Sequence, residues 1–139
     1  MYYYIEPEVA GGLGDSTVLD STVHPPKVSL LEYQFDGWLG DELLESFPCF
    51  IVTEALSKAL KEFGLNGFDL DSVRVTKSDQ FEDIDGFLVL PNFVWLKVHG
   101  EAGLSDFGLA KDNRLVVSAA ARNVIEAFRL NNADFEGFH

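Results

Sequence analysis

The stretches IVTEALSKALKEFGLNGFDLD at residues 51–71 and VVSAAARNVIEAFRLNNADFE at residues 116–136 carry one pattern twice, at a constant offset of 65 residues and with no gap. In the first, Phe50, Ile51 and Val52 form a short apolar strand, and Thr53 stands where a helix N-cap stands. Leu56, Ala59, Leu60 and Phe63 then fall at i, i+3, i+4 and i+7, one stripe of an amphipathic helix. Gly64 supplies a left-handed stop, and Phe68 to Val75 runs extended. In the second, Leu115, Val116 and Val117 take the strand and Ser118 the cap. Ala121, Val124, Ile125 and Phe128 take the stripe, Leu130 and Asn131 match Leu65 and Asn66, and Asp134 and Glu136 match Asp69 and Asp71. Arg129 replaces Gly64, so this helix is expected to stop later, at Asn131 or Asn132, which tolerate left-handed backbone.

One such strand-helix-strand unit cannot hide its apolar stripe alone, whereas two can close over shared strands. The expected fold is therefore α+β: a mixed or antiparallel sheet covered by two similar amphipathic helices from an internal duplication. Residues 1–139 are expected to form a single domain, with the duplicated units at about 49–75 and 114–138. Two copies are too few for a solenoid.

Outside the units, Met1 to Ile5 reads as an aromatic strand and residues 10–27, with AGGLGDST and HPPK, as a long loop. Lys27 to Phe35 alternates as a strand. Asp36-Gly37 makes a turn, and Asp41 is placed to cap a short helix holding Leu43 and Leu44. Residues 78–86 are acidic, and Phe87 to Leu90 and Phe93 to Val98 are apolar, β-rich runs. Asp106 to Ala110 is expected to pair with Arg114 to Val117 as a hairpin.

The net charge is −13, from 23 acids and 10 bases, and residues 1–50 hold nine acids against Lys27 alone. Such a field repels nucleic acid and anionic membrane and attracts basic partners. The single cysteine, Cys49, lies in the apolar context FPCFIV and reads as a buried inert thiol. The start MYYYIEPEV has no basic region followed by an apolar run, and no stretch is long enough to span a membrane, so a cytoplasmic bacterial protein is expected.

No catalytic signature is present. His24, His99 and His139 are scattered, FEDIDG lacks the ligands of a calcium loop, and GGLGDST lacks the Gly-Lys-Ser/Thr ending of a phosphate cradle. The tripeptide DFG at 106–108 stands without any other kinase element. No catalytic residue, metal site or cofactor is assigned. What remains is surface. In FDGWLGDELLESF, Trp38 lies among Asp36, Asp41, Glu42 and Glu45, an aromatic anchor with acids to steer a basic partner. SDQFEDIDGF offers a second such group in Phe81, Glu82, Asp83 and Asp85. The alternative for each aromatic is a place in the core.

The doubled text, IVTEALSKALKEFGLNGFDLDSV and LVVSAAARNVIEAFRLNNADFEGF, resembles the small immunity proteins of bacterial polymorphic toxin systems, including the myxobacterial type. The resemblance covers about half of the chain, mainly 49–75 and 114–138. It implies a protein that sits on a cognate toxin and blocks it, and it brings no catalytic residue with it. Two other readings stand beside it. One is a small-molecule-binding domain or enzyme with a Phe-lined pocket, residues 10–27 as lid, and His99 and Asp106 as polar groups. The other is an oligomerisation module, a homodimer formed through a sheet edge or through Tyr2, Tyr3 and Tyr4.

Overall fold

The computed structural model describes residues 1–139. In chain order the elements are β1 (Tyr2–Glu6), β2 (Gly11–Leu13), β3 (Val18–Asp20), β4 (Lys27–Leu30), β5 (Glu32–Phe35), β6 (Leu43–Ser46) and β7 (Cys49–Thr53). There follow α1 (Glu54–Glu62), β8 (Phe68–Asp71), β9 (Arg74–Lys77), α2 (Asp79–Asp85), β10 (Phe93–Val98), β11 (Phe107–Leu109), β12 (Leu115–Ser118), α3 (Ala119–Glu126) and β13 (Asp134–Phe138). The class is α+β, mostly strands, with several antiparallel sheets and three helices. No helix is long and apolar enough to cross a membrane.

Two four-stranded sheets dominate, with orders β6-β7-β10-β8 and β11-β12-β1-β13. They share more than strand number. In the first, Leu96 lies between Phe50 and Leu70, and Trp95 between Ile51 and Asp71. In the second, Ile5 lies between Leu115 and Phe135, and Tyr4 between Val116 and Glu136. Each flanking residue of the second sheet is its counterpart in the first moved by the 65-residue offset. The hairpins agree too: Leu43 faces Val52 in one and Phe107 faces Val117 in the other. The middle strands are exchanged. β1, which precedes the first hairpin in the chain, lies in the second sheet, and β10, which precedes the second hairpin, lies in the first.

Both α1 and α3 contribute to a core shared with strands of the two sheets. Thr53 caps α1 by accepting from the Leu56 N–H, and Ser118 caps α3 by accepting from the Ala121 N–H. Leu56 and Leu60 of α1 and Ala121, Val124 and Ile125 of α3 are buried in one core with Ile5, Leu43, Phe50, Val52, Leu96, Phe107, Leu115 and Val117. Gly64, at φ +66°, ends the α1 unit as expected. Phe63 leaves the expected stripe and is 69% exposed, because it is the residue at which the helix already ends. α3 stops at Glu126, earlier than Arg129 in place of glycine suggests. Its continuation is pulled away: the Arg129 N–H and carbonyl are taken by Glu42, and the Asn131 and Asn132 N–H groups by Asp41.

The first sheet is covered on its other face as well. Alternation along β7 sends Phe50 and Val52 toward the helices and Cys49 and Ile51 the opposite way, so every residue of Cys49–Thr53 is buried. Cys49, Ile51, Leu44, Phe93 and Trp95 meet Leu31, Tyr33 and Phe35 from a smaller sheet, β2-β5-β9, and Phe81 from α2. In that sheet β5 and β9 run parallel. β3 and β4 form a separate hairpin.

Several expectations are corrected. Leu43 and Leu44 lie in strand β6 and not in a helix, since both side chains bury in different cores across β7. Residues 10–27 are not an unstructured loop: they contain β2 and β3, and Ser16 is fastened to Glu32, which accepts from its N–H and hydroxyl and from Thr76 Oγ1. Gly14 permits the approach, since a Cβ there would sit 2.2 Å from the Glu32 carboxyl carbon. Phe87 to Leu90 joins no sheet: Phe87, Leu88 and Val89 are exposed, and Leu90 is partly buried against the second core. Met1 to Ile5 forms a strand as expected, and Tyr2 to Tyr4 are paired on both sides within it. Arg122 covers the Tyr3 ring and Arg114 the Tyr4 ring.

Candidate functional site

The small sheet and α2 present the surface that best fits an interaction site. Ser78 caps α2 by accepting from the Phe81 N–H, and Asp79 and Glu82 lie in the first turn, favourable to the helix dipole. Phe81 alone is buried, edge-on to Phe35 at 6.3 Å between ring centres, with the Lys77 ammonium 5.2 Å above its ring. Asp79, Gln80, Glu82, Asp83, Ile84 and Asp85 all face solvent. Beyond the helix, Phe87 is completely exposed and Val89 is 86% exposed. Burying a ring of that size is worth about 1.5–3 kcal/mol, which the isolated chain forgoes.

Trp38 joins this strip to the loop before β6. Its indole N–H donates to the Asp41 carbonyl at 2.9 Å and its ring lies edge-on to Phe93. It is half-buried and separates two shallow depressions. One is floored by Val89, Leu90 and Pro91, and the other by Val9, Leu39 and Gln80 with Asp36 at its rim. Gln80 and Ile84 are one helical turn apart on α2, and Ile84 is exposed. Leu39 and Val9 are largely exposed. Asp36, Asp79, Glu82, Asp83 and Asp85 enter none of the six ion pairs of the protein.

The residues expected to form one acidic-aromatic patch are thereby separated. Asp36 and Trp38 border the depression that Gln80 of α2 lines, and Glu82, Asp83 and Asp85 are exposed on α2. Asp41 and Phe81 are inside, at 1% and 0% exposure, and cannot reach a partner. The Asp41 carboxylate accepts from the Asn131 N–H, the Asn132 N–H and Asn132 Nδ2 at 2.8–3.0 Å. Glu42 accepts from Thr53 Oγ1 and from the Arg129 N–H, each at 2.9 Å. Glu45 lies toward the other end of β10, beside Lys97 and Val98.

Asp106 has the role in the second sheet that Glu42 has in the first. It accepts from the Ser118 hydroxyl at 2.7 Å and the Asn66 N–H at 3.0 Å. Each carboxylate thus clamps the cap of one helix to the turn that follows the other. His99 stands 3.5 Å from Asp69 at the surface. Neither His99 nor Asp106 lines a cavity among phenylalanines. Phe35, Phe81 and Phe93 fill the space between them with their own rings.

The remaining chemistry is sparse. Burial pushes the Cys49 thiol up to about 12, so it carries no thiolate near neutrality. Burial raises Glu8 as well, against the opposing effect of the Leu39 and Asp41 N–H groups that donate to it. No group of three or more His, Cys, Asp or Glu side chains is arranged to hold a metal ion. Comparison with protein-family models and with curated proteins finds no match to this chain.

The strip Ile84, Phe87 and Val89 was the part of the site missed in sequence. Its signal was present: an apolar run interrupted by Pro91, directly after an acidic amphipathic turn. In sequence Ile84 falls within the acidic stretch and Phe87 to Leu90 reads as an apolar, β-rich run, because no residue marks the absence of a pairing partner.

Proposed function

We propose that the protein is a non-enzymatic binding protein that docks a basic protein partner through the α2 face, and that it acts as an immunity protein on a cognate bacterial toxin. The observation that carries this reading is the fully exposed Phe87 with Ile84 and Val89, set among carboxylates that have no cation of their own. Exposed contiguous apolar groups with a charged rim are the composition of an interface. The ring supplies an anchor that desolvates on docking, and the acids steer a positive surface toward it. A second copy fits less well, because two-fold pairing would set this acidic face against itself. The resemblance stated above supplies the toxin as the class of partner.

We also infer that the two four-stranded sheets, each with its capped helix, descend from one duplicated unit that exchanged its middle strands. The common register and the paired carboxylate clamps support this. In this reading the duplicated part is the scaffold. The segments without a counterpart, 7–42 and 72–92, carry the binding face.

The test is a binding titration against basic toxin domains, beginning with any encoded by a gene adjacent to that of this protein. Phe87→Ala is expected to weaken binding at least tenfold, about 1.4 kcal/mol, while leaving the unfolding midpoint unchanged. Neutralising Glu82, Asp83 and Asp85 together should slow association and flatten its salt dependence. Unaltered affinity and on-rate in both variants would remove this face from consideration.

A further inference from the structure

A cleft of about 210 Å³ opens beside the Phe47-Pro48 turn between β6 and β7, reaching Lys97 and Val98 at the end of β10. Trp38, by contrast, packs at the beginning of β10, against Phe93. The walls are apolar, formed by Pro25, Pro26, Phe47, Pro48 and Trp95. One carboxylate lines it, that of Glu45. The residue is half-buried, and its carboxylate accepts no hydrogen bond and joins no ion pair within the protein. Its peptide groups are satisfied elsewhere, the N–H by the Glu8 carbonyl and the carbonyl by the Tyr33 hydroxyl. Burial first, and the charge of Glu6 second, raise its ionisation above the ordinary carboxylate range.

The lysine on the lining does not answer this charge. The Lys97 ammonium is engaged by Asp71 at 3.4 Å and lies 4.8 Å above the Trp95 ring. Partial burial disfavours the charged form of Glu45, and a cation meeting its carboxylate at the cleft would offset that. The size limits the occupant. Drug-sized ligands take pockets of about 300–1,000 Å³, so this cleft admits a group the size of one long side chain.

We propose that the cleft is a binding site for a small organic cation, an alkylammonium or alkylguanidinium whose head meets Glu45 and whose stem lies between Pro25, Phe47 and Trp95. Trp95 supplies apolar wall for the stem, one face of its ring being covered by the Lys97 ammonium. The cation has two available sources, a free amine or a lysine or arginine side chain of a protein partner. The site does not depend on the α2 face, and either proposal survives failure of the other.

The test uses the Trp38→Phe protein, in which Trp95 is the only tryptophan. Trp95 emission is followed during titration with n-butylammonium, with the neutral isostere n-butanol, and with a short lysine-bearing peptide. Saturable binding of n-butylammonium is expected, with n-butanol inert and Glu45→Gln at least tenfold weaker. Phe47→Ala, on the exposed rim, provides a second variant if Glu45→Gln does not fold, and is expected to weaken binding several-fold. Tighter binding of the peptide than of the amine assigns the source to a partner's side chain. Equal binding assigns it to a free amine. No saturable response, equal response to n-butanol, or undiminished binding in the substituted proteins would overturn the site.

Discussion

The sheet β6-β7-β10-β8 and the sheet β11-β12-β1-β13 have the same order, the same register and the same capped helix, yet their outer faces differ. In the first, Ile51 and Trp95 are roofed by Tyr33, Phe35 and Phe81. In the second, Val116 and Tyr4 hold the equivalent positions. There the cover is a short loop, tied through the Tyr2 hydroxyl to the Leu104 carbonyl, together with Arg114 and Phe138 against the Tyr4 ring. The difference has one origin. Residues 7–42 and 72–92 add a third layer to one sheet only, and the exposed apolar strip lies on that layer. The matched sheets hold most of the larger core, and the added layer carries the exposed apolar side chains Ile84, Phe87 and Val89.

The strongest challenge to the equivalence of the two sheets lies at their centres. Leu96→Ala and Ile5→Ala, both 1% exposed between matched neighbours, are each expected to lose about 2–5 kcal/mol in denaturant unfolding. A loss confined to one of them would break the comparison.

The clamps come next. Asp41→Ala leaves three donors near the end of the α3 unit without their acceptor, at an expected cost of about 1–3 kcal/mol. Thr53→Val and Ser118→Val each remove a cap and a bond to a carboxylate. About 1–2 kcal/mol is expected from each, and the two values should agree if the clamps are equivalent.

The added layer has a pH signature of its own. Hydrogen bonds from Ser16 and Thr76 lower Glu32 from 4.5 to about 2. An acid depressed in the fold contributes stability that is complete above its unfolded value and is lost as pH falls toward the folded one. Glu32→Gln should therefore flatten the acid limb of stability between about 4.5 and about 2, measured by denaturant titration at each pH. Glu45 has the opposite sign. Its raised value means that stability is lost as pH rises through the unfolded value to the folded one, so Glu45→Gln should gain stability at neutral pH relative to the parent.

The smallest effect is expected on the face itself. Ile84→Ala and Phe87→Ala should change stability by less than about 0.5 kcal/mol, since both side chains lie in solvent. A larger loss would mean that the strip serves the fold.

Much of the scaffold was legible because its signals are local. Hydroxyl caps, a 3.6-residue stripe and a constant offset located both helices, and Phe50 to Val52 announced a short apolar strand. The acids were not legible. Asp36, Asp41, Glu42 and Glu45 look alike in sequence, but one is exposed, one accepts three bonds inside, one clamps a cap and one lines a cleft. Their donors lie up to 91 residues away, at Asn132. Residues 10–27 were misread for the same reason, since the carboxylate that fastens Ser16 belongs to Glu32.

By itself the sequence determined two capped amphipathic helices, the strands beside them and an excess of negative charge, because propensity, period and composition act over a few residues. The tertiary structure decided which middle strand enters which sheet, where α3 ends, and which carboxylates face water. Those outcomes depend on pairing and hydrogen bonding between segments far apart in the chain, and nothing within either segment encodes its distant partner.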